Sequence, residues 1–406
     1  MCSNMPMFNK GKSVKALKIF TGIVLALGLT ACGGNFGSGS LFGDSENASQ
    51  RPVVNSQNAA RVALLVPLTG PGKISEIGAA LKQAGELAIF DAGGAEVVLI
   101  PLDTKGTPEG ARAAAQQAVQ EGAEIILGPL LSANVEPVAQ SARASNIPVL
   151  AFSSDRRVAG NGVYLLSFLP SQEIARVVNY SAGKGAQGFA SLIPQSPYGT
   201  LVNTAFDQAV TARGGKVLSV EQYARNSKSA AKNIARLATF AKSRRSGVEA
   251  IFLPEGGSML YDLVAMLEKR GIDKKKIRLL GTGLWDEPGL SAITALHGGW
   301  YASPDPVAKS AFIARFKNAY NKSPQRIASL AYDGVSLASV LAASEKGQRY
   351  SAGQLTNPDG FDGVDGLFRL LRNGTNERAL AVLELRPGGA KVVSPAPRRF
   401  NTSPSG

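Results

Sequence analysis

The side chains that most often carry catalysis are nearly missing from this sequence. Its 406 residues hold one histidine, His297, and two cysteines, Cys2 and Cys32. A His/Cys zinc site cannot be assembled from these, and a Ser-His-Asp triad would have to recruit His297. His297 sits in Leu296-His297-Gly298-Gly299-Trp300, ahead of an apolar run, and reads as a turn residue. No G-x-G-x-x-G follows a first strand, and neither G-x-x-x-x-G-K-[ST] nor G-x-S-x-G occurs. No enzyme, metal or cofactor is expected. What the sequence offers is hydrogen-bonding chemistry. Ser132 follows the apolar run 125–127, and Ser153, Ser154 and Asp155 follow 148–152. In open α/β sheets, ligands sit beyond the carboxyl ends of the strands, where helix N-termini present free N–H groups. Both loops could donate to an anionic group such as an α-carboxylate. Ordinary helix capping by Ser132 and Ser153 would use the same atoms.

The second reactive position is Cys32. It ends Leu29-Thr30-Ala31-Cys32, after an apolar stretch preceded by Lys10, Lys12, Lys15 and Lys18. The apolar stretch has the length of a signal-peptide core, about 7–15 residues, and is too short to span a bilayer. The order positive, apolar, small, Cys resembles a bacterial lipoprotein signal with its lipobox. The resemblance implies that 1–31 is removed and that Cys32 becomes a lipidated N-terminus, facing the periplasm. Gly33 and Gly34 after the Cys, with no Asp, favour the outer membrane by the same resemblance. Loss of 1–31 takes four lysines and no acid, leaving 40 basic against 30 acidic residues, +10 in place of +14. Small basic clusters occur at Arg244-Arg245, Lys274-Lys275-Lys276 and Arg398-Arg399. Outside the cytoplasm such a surface suits anionic lipid, cell-wall polymer or an acidic protein rather than nucleic acid.

The elements that must position these residues follow from hydrophobic periodicity. Residues 33–60, rich in Gly, Ser, Asn and Gln, read as a flexible tether that would span about 30 Å. Residues 395–406 read as a disordered tail. Between them, apolar β runs at 62–66, 97–102, 125–127 and 148–152 alternate with helical patterns. In one of these, Ile77, Leu81, Ala84 and Ala88 share a face. Thr107-Pro108-Glu109 is a helix start: hydroxyl cap, Pro at N1, acid at the positive dipole end. The pattern restarts with strands at 189–193, 217–223, 250–253 and 277–280 and helices at 229–243 and 258–270. Alternation of this kind predicts parallel sheets covered on both faces. A mature chain of 375 residues exceeds one core, so two lobes are expected. After Tyr301 come helices near 309–321 and 328–343, then a hairpin of 380–385 and 391–393.

The opening Val62-Ala63-Leu64-Leu65-Val66-Pro67-Leu68-Thr69-Gly70 is followed by Ile125-Ile126-Leu127-Gly128-Pro129-Leu130-Leu131-Ser132. Then come Ile147-Pro148-Val149-Leu150-Ala151-Phe152-Ser153-Ser154, Pro197-Tyr198-Gly199 and Ala331-Tyr332-Asp333-Gly334. In this order and spacing the set resembles the leucine/isoleucine/valine-binding family of type I periplasmic binding proteins, over nearly all of 61–393. The resemblance implies an α/β fold of two doubly wound, Rossmann-like lobes joined by a multi-crossover hinge. Lobe 1 would comprise 61–170 plus 303–375, and lobe 2 would comprise 171–302 plus 376–394. The lipidated Cys and tether would occupy 32–60. Within that superfamily the chain looks most like the penicillin-binding-protein activator lipoproteins. These are outer-membrane-anchored proteins that stimulate a peptidoglycan synthase. A solute receptor of an ABC importer for branched-chain or other amino acids shares the fold and is the alternative.

The resemblance also assigns ligand contacts. It puts carboxylate recognition at Ser132 and at Ser153, Ser154 and Asp155, and makes Tyr198 an aromatic that closes from the second lobe. Phe152 and Trp285 are further walls of the same cleft, and Asp286 or Glu287, or Asp155 from across the cleft, would be the acid for a ligand ammonium. The ligand would be an amino acid or a wall-derived small molecule. One departure stands out. The family usually places an acid just after the strand matching 277–281, and this chain has Gly281-Thr282-Gly283-Leu284, with Gly283 at that position.

Overall fold

The computed structural model describes residues 58–93, 97–243, 245–287 and 289–400. Residues 1–57, where the signal segment, Cys32 and most of the tether are expected, and residues 401–406 lie outside the described residues.

Apolar runs too short for helices become buried parallel strands, and the amphipathic stretches between them become the covering helices. The first series is β1 (Ala60–Val66), α1 (Ile74–Asp91), β2 (Val97–Asp103), α2 (Pro108–Gln120), β3 (Ile125–Leu127), α3 (Ser132–Arg143), β4 (Val149–Ala151) and β5 (Val163–Leu165). These strands form a parallel sheet in the order β2-β1-β3-β4-β5. Its helix starts are legible locally: the Thr107 hydroxyl accepts the Gly110 N–H at 3.1 Å, with Pro108 behind it.

The second series is α4 (Pro170–Gly183), β6 (Gly188–Pro194), α5 (Pro197–Thr211), β7 (Lys216–Tyr223), α6 (Ser227–Lys242), β8 (Ala250–Phe252), α7 (Gly257–Lys269), β9 (Arg278–Gly281) and β10 (Trp300–Ser303). Then α8 (Pro306–Tyr320) and α9 (Ala328–Ala342) return to the first core, where Phe312, Phe316, Leu330 and Val335 join Leu64 and Leu81. A short α10 (Ala352–Leu355) leads to β11 (Phe361–Gly363), β12 (Gly366–Leu370) and β13 (Asn376–Arg378), a small antiparallel sheet. Finally β14 (Ala381–Arg386) and β15 (Gly389–Ser394) complete the second sheet, in the order β15-β14-β10-β9-β8-β6-β7. Only β14 runs against the others there, pairing antiparallel with both β10 and β15.

The chain therefore passes between the two large sheets at 166–169, 304–305 and 379–380. This is the mixed α/β, doubly wound architecture of type I periplasmic binding proteins. The 361–378 sheet is an addition to the expected elements; its strands of three to five residues are too short to show alternation. Residues 395–400, read from composition as part of a tail, take a defined path. The Arg176 guanidinium donates to Ser394 Oγ and the Pro395 carbonyl, and Arg369 lies 4.5 Å over the Phe400 ring. Among the described residues, no helix is long and apolar enough to cross a membrane.

Candidate functional site

The strand-end loops of the first sheet are shaped mainly by their own hydrogen bonds. Asp103 accepts the N–H groups of Leu68, Thr69 and Lys105 and the Thr69 hydroxyl. Burial pushes its carboxyl up, but these donors outweigh it and hold the group below the usual carboxylate range. Gly128 has φ +90, and a Cβ there would run into the Leu65 carbonyl, so only glycine turns the chain from β3 toward α3. Ser132 is the first residue of α3 and is exposed. The cap position belongs to Leu131, so Ser132 does not cap, contrary to one of its two sequence readings. Ser153 is buried and accepts the Asp155 N–H at 3.2 Å. Asp155 in turn accepts the Arg157 N–H and pairs with its guanidinium at 2.7 Å, which holds the Asp155 carboxyl below its ordinary range. Ser154 is exposed. Phe152 is buried in the first core rather than set on a cleft wall.

The second sheet contributes Tyr198, Thr282 and two buried acids. Ser196 caps α5 by accepting the Gly199 N–H, which fixes Tyr198 in the helix's first turn. The Tyr198 hydroxyl lies 3.3 Å from Thr282 Oγ1, and burial raises its phenol to about 12. Glu255, in the loop after β8, is buried, accepts the Tyr223 hydroxyl at 2.7 Å and pairs with Arg225 at 2.9 Å. Glu173, in the first turn of α4, accepts the Gly283 N–H at 2.8 Å through Oε2. Its Oε1 meets Arg326 Nη2 at 3.1 Å. A Cβ on Gly283 would overlap both the Glu173 carboxylate and the Arg326 guanidinium. Gly283 is thus the residue that admits this ion pair. Arg326 also lies 4.2 Å over the Phe168 ring, and Arg378 lies 4.7 Å over the same ring.

Trp285 and Asp286 are not brought beside Tyr198. Trp285 is fully buried, packed on Gly281 and Gly299 and 6.4 Å from the Tyr301 ring centre. Asp286 accepts from Ser303 Oγ at 2.8 Å and pairs with Lys309. Both line a groove of about 490 Å3 between α8 and the β14–β15 hairpin; Ser132, Ser153, Ser154, Asp155 and Tyr198 do not. His297 is the turn residue its sequence predicts, 2.8 Å from the Ser291 carbonyl. Sequence reasoning passed over Glu173, Glu255, Arg225 and Arg326. Pro254-Glu255-Gly256 directly after an apolar strand was the one available signal.

The chain belongs to the periplasmic binding protein family, whose profile matches residues 59–390. Among its relatives is the uncharacterized protein RP748 of Rickettsia prowazekii (strain Madrid E), 24% identical over 226 residues, 54% of this chain and 60% of that one. Another is the penicillin-binding protein activator LpoA of Glaesserella parasuis serovar 5 (strain SH0165), 34% identical over 151 residues, 36% of this chain and 24% of that one. The matched stretches thus span less than two thirds of either relative. Among solved structures, an ABC transporter substrate-binding protein from Desulfitobacterium hafniense in complex with Leu superposes with a TM-score of 0.62. It is 19% identical, and the match covers 82% of this chain and 100% of that one, a likeness of fold alone.

Proposed function

We propose that this is a lipid-anchored envelope protein that docks on a penicillin-binding protein and raises its peptidoglycan-synthesising rate, without catalysing a reaction itself. The Glu173–Arg326 pair against Gly283 carries this reading. A receptor that seizes an amino acid needs a buried carboxylate free for the ligand ammonium, because an unpaired buried ammonium is heavily penalised. Here the chain fills that role with its own guanidinium. Glu255 is likewise committed to Tyr223 and Arg225. With both acids occupied, the fold is better suited to docking than to capture. The 34% identical stretch shared with an activator supports the same direction. Anchored at Cys32 in the outer membrane, the tether would give reach toward the wall. The mature charge of +10 suits an acidic or wall-associated surface. The two sheets with their helices would act as two lobes about the three crossovers, and their closure states would differ in affinity for the partner.

Reconstitution tests this: lipid II turnover by the cell's own bifunctional synthase, with and without the protein, at low and moderate salt. A rise in polymerising or crosslinking rate is expected. An unchanged rate at both salts, with no synthase retained in a pull-down, would refute it. The receptor reading makes the opposite demand. One common amino acid should then stabilise the protein by about 2.7 kcal/mol at 100 times its Kd. Changing Ser132 and Tyr198 should abolish that stabilisation.

A further inference from the structure

Parallel strands bring their first residues to one edge of a sheet, and the helices that precede those strands end there. In the second sheet this edge collects the links 180–188, 208–216, 239–250 and 266–278, which join α4 to β6, α5 to β7, α6 to β8 and α7 to β9. The turn 384–391 of the β14–β15 hairpin lies with them, because Glu384 pairs with Trp300 at the start of β10. Among the described residues these five segments carry thirteen basic side chains against four acidic ones, Glu249, Glu268, Asp273 and Glu384. That surplus of nine is nearly the whole net charge of +10 expected for the mature chain. The corresponding links of the first sheet, 88–97, 117–125 and 140–149, carry Arg143 against Asp91, Glu121 and Glu124 among the described residues. Cations at helix C-termini complement the dipole, but the helices of both halves have dipoles, so this does not account for the difference.

The four acids are spent mostly on the backbone. Glu249 accepts the N–H groups of Gln187 and Gly188, and Asp273 accepts that of Lys275. Of the thirteen cations only Lys274, 3.7 Å from Glu268, and Arg386, 2.8 Å from Glu384, stand in ion pairs among the described residues. Lys269, Arg270, Lys275 and Lys276 are exposed and close together in the chain. Eight of the thirteen are lysines, whose compact ammonium on a flexible stem meets negative charge without demanding a fixed planar geometry. Phe240 is the one large apolar side chain exposed among the described residues of these segments. The face thus lacks the aromatic anchors of a protein interface and the apolar surface that inserts into a bilayer.

Its direction follows from the crossovers. They leave β5 and β10 at the ends of those strands, and the last enters β14 at Ala381, opposite Ser303 at the end of β10. The strand ends of the two sheets therefore meet at the junction, and their starting edges are the two far ends of the molecule. Ala60, where the tether enters, begins β1 at the far end of the first sheet, and the basic face is at the far end of the second. Two seven-residue strands placed end to end already span about 45 Å, more than the tether's root-mean-square reach of about 30 Å.

We propose that this basic face binds the carboxylate-bearing polymer of the cell wall. A polymer with mobile, repeated carboxylates suits a lysine-rich surface that has no pocket to fill and no ring to bury. With the chain held at Cys32, the face points away from the anchoring membrane. The choice of a wall polymer over lipid rests on that anchor and not on docking to a synthase. Wall binding is read without a synthase or a membrane, so the two readings fail separately.

The test is cosedimentation of the full chain, in detergent, with purified peptidoglycan sacculi. Control sacculi have their carboxylates amidated with carbodiimide and ammonia. Saturable binding to native sacculi is expected, at least about tenfold weaker after amidation, and weaker again as salt rises from about 50 to about 300 mM. Lys275→Glu/Lys276→Glu should also bind at least about tenfold more weakly. Lys322→Glu/Lys346→Glu changes the net charge equally at exposed positions outside these segments and should stay within about twofold of wild type. The inference is overturned if sacculi are not bound, if amidation has no effect, or if both double variants lose binding alike. It is overturned too if Lys275→Glu/Lys276→Glu still holds sacculi but no longer stimulates the synthase, which would make the face a protein-docking surface. The same follows if that variant holds sacculi but no longer draws phosphatidylglycerol vesicles to phosphatidylcholine vesicles that carry the anchored protein, which would make it a lipid surface.

Discussion

Replacing Arg326 by methionine should destabilise the protein more than its partly open position suggests. The guanidinium lies 3.1 Å from Glu173 Oε1. At an effective dielectric of about 20, that separation corresponds to a gross attraction of about 5 kcal/mol. Removing one partner of a fully buried pair costs about 3–5 kcal/mol, because the other charge is left uncompensated. The side chain of Glu173 is 6% exposed but that of Arg326 is 32% exposed, so solvent screening reduces the expected loss to about 2–3 kcal/mol. Glu173→Gln should cost less, about 1 kcal/mol, for two reasons. The amide oxygen still accepts the Gly283 N–H, and Arg326 can turn toward water. The double variant should resemble Glu173→Gln alone, leaving a coupling of about 2–3 kcal/mol in the cycle. Urea unfolding of wild type, both single variants and the double variant measures all four terms. An Arg326→Met protein within about 0.5 kcal/mol of wild type would refute the reasoning. So would additive losses in the double variant, since the pair would then carry no coupling.

Two further outcomes follow from the same chemistry. Asp103 has its carboxyl held low by the donors of the β1–α1 and β2–α2 loops. A lowered acid contributes stability that is complete above its unfolded value of about 3.9 and disappears as pH falls through the folded value. The gap between wild type and Asp103→Asn should therefore be flat above about pH 5 and close toward acid; a gap that widens on acidification in urea midpoints would contradict the assignment. At the N-terminus, a palmitate analogue fed to cells should label wild type and not Cys32→Ala, and label persisting in the variant would rule out the lipid anchor.

The sequence is most legible where one local signal decides. Apolar runs such as 62–66 and 189–193 cannot be amphipathic helices, and they fold as β1 and β6. Thr107-Pro108 starts a helix whatever surrounds it. Side-chain direction is less legible. Trp285 looks like a cleft aromatic by position, yet it turns inward because Gly281 and Gly299 leave room for its ring. Ser153 and Asp155 look like donors awaiting a ligand, yet each serves a turn two residues long. The ion pairs are hidden altogether. Glu173 and Arg326 are 153 residues apart, and Asp333 and Arg378 are 45 apart. Nothing in local periodicity links them; the crossovers do. Gly283 was readable as a missing acid, but that a glutamate from α4 occupies its space was not.

The origin of the two partners gives that contact a further meaning on the proposed reading. Glu173 belongs to α4, which packs with the second sheet, and Arg326 precedes α9, which packs with the first. In a receptor, a ligand's ammonium would provide the attraction across such a junction, and the halves would close only when it is bound. Here the positive group is part of the chain, so the attraction is always present. A closed arrangement that needs no ligand is a preorganised surface, and preorganisation lowers the cost of docking on a protein partner.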